Sequence, residues 1–283
     1  MSSPCITLLT DFGTTDHYVG IMKGVMQTIC PGAQLIDLTH AIPPQHIIAA
    51  ALTLQQAAPY FPAGTVHLVV VDPGVGSQRR PIAIQTPHAS LVGPDNGVLF
   101  PFWQAARQHW PDDQAVLAVH LTEPRFWLPQ ISTTFHGRDI FAPVAAHLAY
   151  GVPLTELGPL VSDLVPLTIP QPHWQPEDNT LYGQVQSIDH FGNCITNITA
   201  DHLLPLGDPT NLHITWEHGG QTDSNSTHLA TTYAAVAPGD VLALMGSSHL
   251  LEIAIRNGNA AQTLGLTIGS QIRIAAKSES RPG

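Results

Sequence analysis

The segment Val69-Val70-Val71-Asp72-Pro73-Gly74-Val75-Gly76-Ser77-Gln78-Arg79-Arg80 ends an apolar β-branched run in a carboxylate and sets two guanidiniums within reach of the Pro/Gly loop that follows. A strand that delivers an aspartate into such a loop places it at the carboxyl end of a sheet, where open α/β sheets hold their ligands. There Arg79 can fix the charge and orientation of Asp72. Asp-Pro-Gly is also ordinary turn chemistry, so the same residues read equally as a strand end with a surface ion pair.

The pattern recurs. Ile6-Thr7-Leu8-Leu9-Thr10-Asp11-Phe12-Gly13 is an apolar strand ending in Asp and then Gly, and Gly93-Pro94-Asp95-Asn96-Gly97 repeats it after Ile82 to Val92. Strands that each end in a carboxylate and a glycine loop imply one polar rim on a sheet. Phe135-His136-Gly137-Arg138-Asp139-Ile140-Phe141-Ala142-Pro143 adds a titratable imidazole. Asp16, Asp95 and Asn96 read as loop-shaping residues, and Arg80 as a solvated neighbour.

The elements that must position these groups alternate along the first half. Strands are expected at 5–10, 34–38, 66–71, 82–85 and 89–92, with helices near 17–29, 47–58 and 140–150, the last capped by Gly151. The alternation predicts an α/β sheet with helices on its faces. From Pro159 to Glu177 the composition turns proline-rich, which reads as a linker. Beyond it, short runs at 181–188, 194–198, 211–216, 227–233, 241–245 and 271–275 predict a small antiparallel barrel. The expected division is an N-terminal α/β domain over 1–165, a Pro-rich linker over 166–178, a C-terminal β-barrel over 179–277 and a disordered tail over 278–283.

With 283 residues, 43% of them hydrophobic, the chain can bury a substantial core. Ten Lys and Arg against 21 Asp and Glu give a formal net charge of −11, which opposes nucleic acid and anionic membrane surfaces as partners. Cys5, Cys30 and Cys194 fit no zinc or disulfide spacing, and the 16 histidines are scattered without a metal-site pattern, so no metal is expected. No apolar run reaches the ~18 residues of a membrane helix, and no basic, then apolar leader opens the chain. The expectation is a soluble cytoplasmic protein.

At the segments around Asp11, Asp72, Asp95 and His136 the sequence resembles the S-adenosylmethionine (SAM) hydrolase family, also called SAM hydroxide adenosyltransferases, which are relatives of the fluorinating and chlorinating SAM enzymes. The resemblance continues through Ile188-Asp189-His190-Phe191-Gly192-Asn193, Gly246-Ser247-Ser248 and Gly258-Asn259-Ala260-Ala261. It implies hydrolysis of SAM to adenosine and L-methionine without a cofactor, by a water held by Asp72, Arg79 and His136. It further implies that Asp11 binds the ribose, Asn193 reads the adenine edge, Tyr233 and Phe191 flank the nucleoside, and Asp189 and Ser247 meet the methionine end. Phe191 and Tyr233 also read as core aromatics. The resemblance implies a homotrimer with sites at subunit interfaces.

Two other readings compete. The halogenating relatives do not carry this Asp/His pair and have Arg where this chain has Ser248, and an anionic Asp72 opposes a halide. A non-enzymatic adenosine or SAM sensor would need Asp11 and Asn193 but not Asp72, Arg79 and His136 together.

Overall fold

The computed structural model describes residues 3–112, 114–208, 211–216 and 226–276; the expected tail at 278–283 lies outside them. The chain divides into two compact units, Met1–Thr168 and Ile169–Gly283.

The first unit is a six-stranded sheet in the order β2-β1-β3-β5-β4-β6. Its strands are β1 (Cys5–Thr10), β2 (Gln34–Thr39), β3 (Thr65–Val70), β4 (Pro81–Gln85), β5 (Ala89–Pro94) and β6 (Leu117–His120). β2, β1, β3 and β5 run parallel, while β4 is antiparallel to β5 and β6. The period-2 alternation of strands decides which residues face which layer. Ile6, Leu8, Val66, Leu68 and Val70 pack with helices α1 (Tyr18–Ile29) and α4 (Ala142–Tyr150). Leu9, Val69, Val71, Ile82 and Ile84 pack on the opposite face with α2 (Ile47–Ala57) and α3 (Phe100–His109).

α1 and α2 therefore cover opposite faces, and the order β2-β1-β3 reverses direction at β1/β3. Ligands bind beyond the carboxyl ends of strands at such a switch point. Register pairs Thr10 with Val70, so Asp11 and Asp72 leave the sheet at this same edge.

α4 differs from the expected 140–150 helix. It begins at Ala142, after a wider π-type turn over Gly137–Phe141, and ends at Gly151, whose φ of 103° gives the expected left-handed cap.

The second unit contains β7 (His173–Gln175), β8 (Thr180–Ile188), β9 (Cys194–Thr199), the short helix α5 (Ala200–Leu203), β10 (Leu212–Trp216) and β11 (Ser226–Thr227). β12 (Val241–Met245), β13 (Leu250–Ile255), the short helix α6 (Ala260–Leu264) and β14 (Gln271–Ala276) follow. The antiparallel sheet runs β11-β10-β14-β8-β9-β13-β12, with β7 added beside β8. The Ala230 N–H donates to the Ala243 carbonyl at 2.7 Å, so the segment after β11 reaches β12 and nearly closes the sheet into a barrel. The expected strand at 227–233 is corrected: β11 stops at Thr227, and Tyr233–Ala235 forms a 3-10 turn. β13 escapes the sequence reading because Glu252 interrupts its apolar run. No described helix is long and apolar enough to cross a membrane.

One buried histidine makes the first unit acid-sensitive. His67, in β3, is 0% exposed, and its Nδ1 lies 2.7 Å from the Thr7 hydroxyl in β1. Burial lowers its pKa from 6.5 to about 4, with the nearby His88 acting in the same direction. Between those values the unfolded chain takes up a proton that the folded chain refuses. Stability present above pH 6.5 therefore falls as pH drops toward 4, by about 3 kcal/mol from this group. Urea unfolding at pH 7 and pH 4.5 should show a smaller acid loss in His67→Asn than in wild type; equal losses would refute the assignment.

Candidate active site

In the first unit, the structure brings Asp72, Arg79 and His136 into one hydrogen-bonded group. The Arg79 Nε–H is shared between Asp72 Oδ1 at 2.9 Å and Oδ2 at 3.0 Å, and Nη2 also donates to Oδ2. Nη2 lies 2.8 Å from His136 Nδ1. A guanidinium N–H only donates, so Nδ1 accepts and the proton of the neutral ring sits on Nε2. The side chains of Arg79 and Asp72 are 8% and 5% exposed, and the guanidinium carbon lies 5.1 Å from the centroid of the buried Phe141 ring. The pair is thus desolvated, and the reading of a surface ion pair does not hold. Burial, followed by the positive charge of Arg79, pushes the His136 pKa down, while Asp72, Asp139 and the Ser132 backbone oppose the shift.

Two loops must meet for this contact. Gly76, with φ of 77°, comes so close to the Thr133 carbonyl that any Cβ there would collide with it. Buried Asp139 fixes the other loop, with Oδ2 accepting the Ser132 N–H at 2.8 Å and Oδ1 accepting from Arg138 Nε at 2.6 Å. Arg79 and His136 line a cleft of about 460 Å³ whose wall includes His120, Thr122, Trp127 and Ile131. These four are functional candidates that the sequence reading missed, since none stands in a motif and only the folded chain gathers them.

Asp11 leaves β1 beside this edge, its Oδ2 accepting the Gln45 N–H at 2.8 Å. Phe12 and Phe135 meet with ring centroids 6.0 Å apart, forming with Tyr18 an aromatic wall between the Asp11 and His136 loops. Asp95 and Asn96 shape loops as expected: buried Asp95 pairs with Arg80 at 2.6 Å, and Asn96 Nδ2 donates to the Val71 carbonyl at 2.9 Å. Arg80 is a structural anchor rather than a solvated neighbour, since its guanidinium also binds Asp163.

The second unit gathers its own group. After β8, Asp189 closes a tight turn, Oδ1 accepting the N–H groups of Phe191 and Asn193, each at 2.9 Å, and Oδ2 accepting Asn193 Nδ2 at 2.9 Å. Asn193 is thereby held at 8% exposure, with Phe191 at 73%. Tyr233 is 41% exposed, so neither aromatic is a core residue. The Tyr233 hydroxyl donates to Glu252, a β13 residue only 6% exposed. Burial, helped by the charge of Asp189, raises the Glu252 pKa, against the hydrogen bond from Tyr233. Burial and then Glu252 push the Tyr233 phenol up. A Cβ at Gly246 would strike the Glu252 carboxylate, which places the β12–β13 loop carrying exposed Ser247 over that side chain. Sequence reasoning missed Glu252; a lone carboxylate inside Leu250-Leu251-Glu252-Ile253 was the available signal. Among the described residues no cluster of three or more His, Cys, Asp and Glu side chains is placed to hold a metal ion.

A switch-point edge bearing a buried Asp-Arg-His group, followed by an antiparallel barrel with its own polar cluster, defines a two-unit protein of an α/β sheet and a β-barrel. Residues 6–158 match the SAM hydroxide adenosyltransferase N-terminal domain, and residues 183–273 match the C-terminal domain of the same family. The chain belongs to the SAM hydroxide adenosyltransferase family. It is 40% identical to an (R)-S-adenosyl-L-methionine hydrolase of Salinispora arenicola, over 97% of this chain and 99% of the relative. It is 38% identical to a protein of the same name from Thermus thermophilus, over 95% and 98%. The crystal structure of an uncharacterized conserved protein from Thermotoga maritima superimposes with a TM-score of 0.85 at 36% identity, covering 95% of this chain and 100% of that one. A fluorinase of Actinopolyspora mzabensis is more distant, at 28% identity over 96% and 97%.

The approach of the two loops yields a test. Gly76→Ala should destabilise by about 1–3 kcal/mol from left-handed strain, with an added steric penalty from Thr133. Gly64→Ala, at φ of 84° but in open space, should show the strain alone. Equal melting temperatures for the two variants would show that the loops do not depend on this contact.

Proposed function

We propose that the chain hydrolyses S-adenosyl-L-methionine to adenosine and L-methionine. A water oxygen bonds to the ribose C5′ as the C5′–S bond breaks, and the bonding pair stays on sulfur as the thioether of methionine. The water proton passes to Asp72 and then to solvent, so one proton is released per turnover. The observation that carries this reading is the convergence of Asp72, Arg79 and His136 at the carboxyl edge of the sheet.

The sulfonium is already a good leaving group, so the task is to position and partly desolvate one water. Arg79 spends its Nε and Nη2 donors on Asp72 and His136, which fixes both. Asp72 keeps lone-pair capacity on Oδ1, the oxygen that takes only a shared Nε–H, and so acts as acceptor for the water. His136, neutral with its proton on Nε2, acts as a donor; its Nδ1 is occupied, so it does not relay the proton. Asp11 takes the ribose hydroxyls, Asn193 the adenine edge through its free carbonyl side, and Phe191 and Tyr233 the faces of the nucleoside. Asp189 and Ser247 serve the methionine end. SAM is the substrate in this scheme, and no cofactor takes part.

Asp72→Ala and Arg79→Ala should each lower SAM turnover by roughly 10²–10⁴ while adenosine binding survives. In water labelled with oxygen-18, the label should enter the adenosine 5′-hydroxyl. Wild-type turnover in Asp72→Ala, or adenosine free of label, would overturn the mechanism.

We also propose a homotrimer with each site drawing on neighbouring subunits, a reading supported by the family resemblance. Its support in the chain is that Asp72 and Asn193 belong to different units. Mixing inactive Asp72→Ala with inactive Asn193→Ala under subunit exchange should restore partial activity. Verified exchange, read by mass, without activity would assign each site to one chain.

A further inference from the structure

Parallel register sets Leu9 of β1 opposite Thr39 of β2, so Thr10 and His40 leave the sheet side by side. His40 is 5% exposed, and its ring is engaged on both sides. Nδ1 lies 2.8 Å from the Thr10 hydroxyl. Nε2 faces Asp37 Oδ1 at 3.0 Å, as an electrostatic contact rather than an in-line hydrogen bond. The other Asp37 oxygen accepts from Lys23 Nζ at 2.6 Å, which ties the chain of contacts to α1.

These contacts converge on one loop. The Thr10 Oγ1 accepts the Phe12 N–H at 3.2 Å, and the His40 carbonyl accepts the Gly13 N–H at 2.8 Å. Residues 10, 12 and 13 are therefore tied to His40 directly or through one hydroxyl, and Asp11 lies between them. The same β2–α2 connection supplies the Gln45 N–H that holds Asp11 Oδ2 at 2.8 Å, from a residue with φ of 65°. A non-glycine residue in the left-handed region costs conformational energy and persists where surrounding contacts over-determine it. The Thr10 hydroxyl thus bonds both to Nδ1 and to the Phe12 N–H, and Nε2 faces the Asp37 carboxylate.

We propose that His40 is the positioning residue of the Asp11 loop, acting through Thr10 and Gly13 to hold the Asp11 carboxylate in the orientation that accepts two vicinal ribose hydroxyls. The proposal rests on the reading of Asp11 as the ribose ligand. A carboxylate accepts both hydroxyls of a diol only when its plane is fixed, and an exposed loop without an internal brace loses that orientation to rotamer and backbone freedom. A histidine that merely filled space would matter for stability alone.

The test measures adenosine and 2′,3′-dideoxyadenosine affinity by calorimetry in the full-length protein. His40→Leu should weaken adenosine by roughly tenfold or more and leave dideoxyadenosine within about twofold. His40→Asn, which offers an acceptor toward Thr10, should recover most of the loss. Should His40→Leu fail to fold, Thr10→Val should reproduce its selective loss and Thr10→Ser should not. Equal weakening of both nucleosides, or no weakening of adenosine, in the folded Leu or Val variant would overturn the proposal. Asp11→Asn separates the two levels. If it abolishes the preference for adenosine while His40→Leu and Thr10→Val do not reduce it, His40 has no positioning role. If it leaves the preference intact, the ribose reading fails and the proposal falls with it.

Discussion

The candidate chemistry of the first unit depends on one desolvated guanidinium. Arg79 binds both oxygens of Asp72 and the Nδ1 of His136 while nearly all of its surface is withdrawn from water. A charge buried to that degree is tolerable only when paired and hydrogen-bonded. Removing one partner leaves the other uncompensated, a loss on the order of 3–5 kcal/mol for buried pairs in general. The geometry of three side chains is therefore coupled: the carboxylate cannot rotate, nor the imidazole change tautomer, without disturbing the arginine.

That coupling is built from backbone before side chains. The parallel register of β1 and β3 sets two aspartates at one edge, and opposite placement of α1 and α2 opens the sheet there. The close approach of Gly76 to Thr133 then brings the Asp72 loop against the loop braced by Asp139. The π-type turn at Gly137–Phe141 widens the helix start immediately after His136, a device common at functional sites. The second unit repeats the logic with different parts: Asp189 commits Oδ1 and one site of Oδ2 to the turn that presents Phe191 and Asn193.

Much of this was legible because it is local. Alternating apolar residues marked β1, β3 and β5, Gly151 marked the end of α4, and strand-end aspartates marked the rim. What stayed hidden depends on contacts between distant segments. Glu252 breaks an apolar run, so β13 went unread, yet the same carboxylate receives the Tyr233 hydroxyl. Thr227 to Tyr233 carries strand-forming residues, but closure of the sheet against β12 ends the regular pairing at Thr227. Arg80 looked solvated because Asp163, its partner, lies 83 positions away in sequence. His120, Trp127 and Ile131 had no motif and became candidates only through a shared cleft wall.

The paired state of Asp72 also changes the electrostatic argument for the proposed reaction. A lone carboxylate beside a sulfonium would stabilise the cationic ground state, and that stabilisation would fade as the positive charge disappears in the transition state. Such an interaction slows the reaction. With Arg79 bound to both oxygens, the pair presents a local dipole rather than a net anion, so Asp72 can accept a hydrogen from water without holding the substrate back. By the same reasoning, repulsion by Asp72 is not what disfavours a halide. The Nε and Nη2 donors of the guanidinium are committed to Asp72 and His136, and an anion taking those donors would have to displace a buried pair. A neutral water, which needs an acceptor as well as donors, matches the group as it stands.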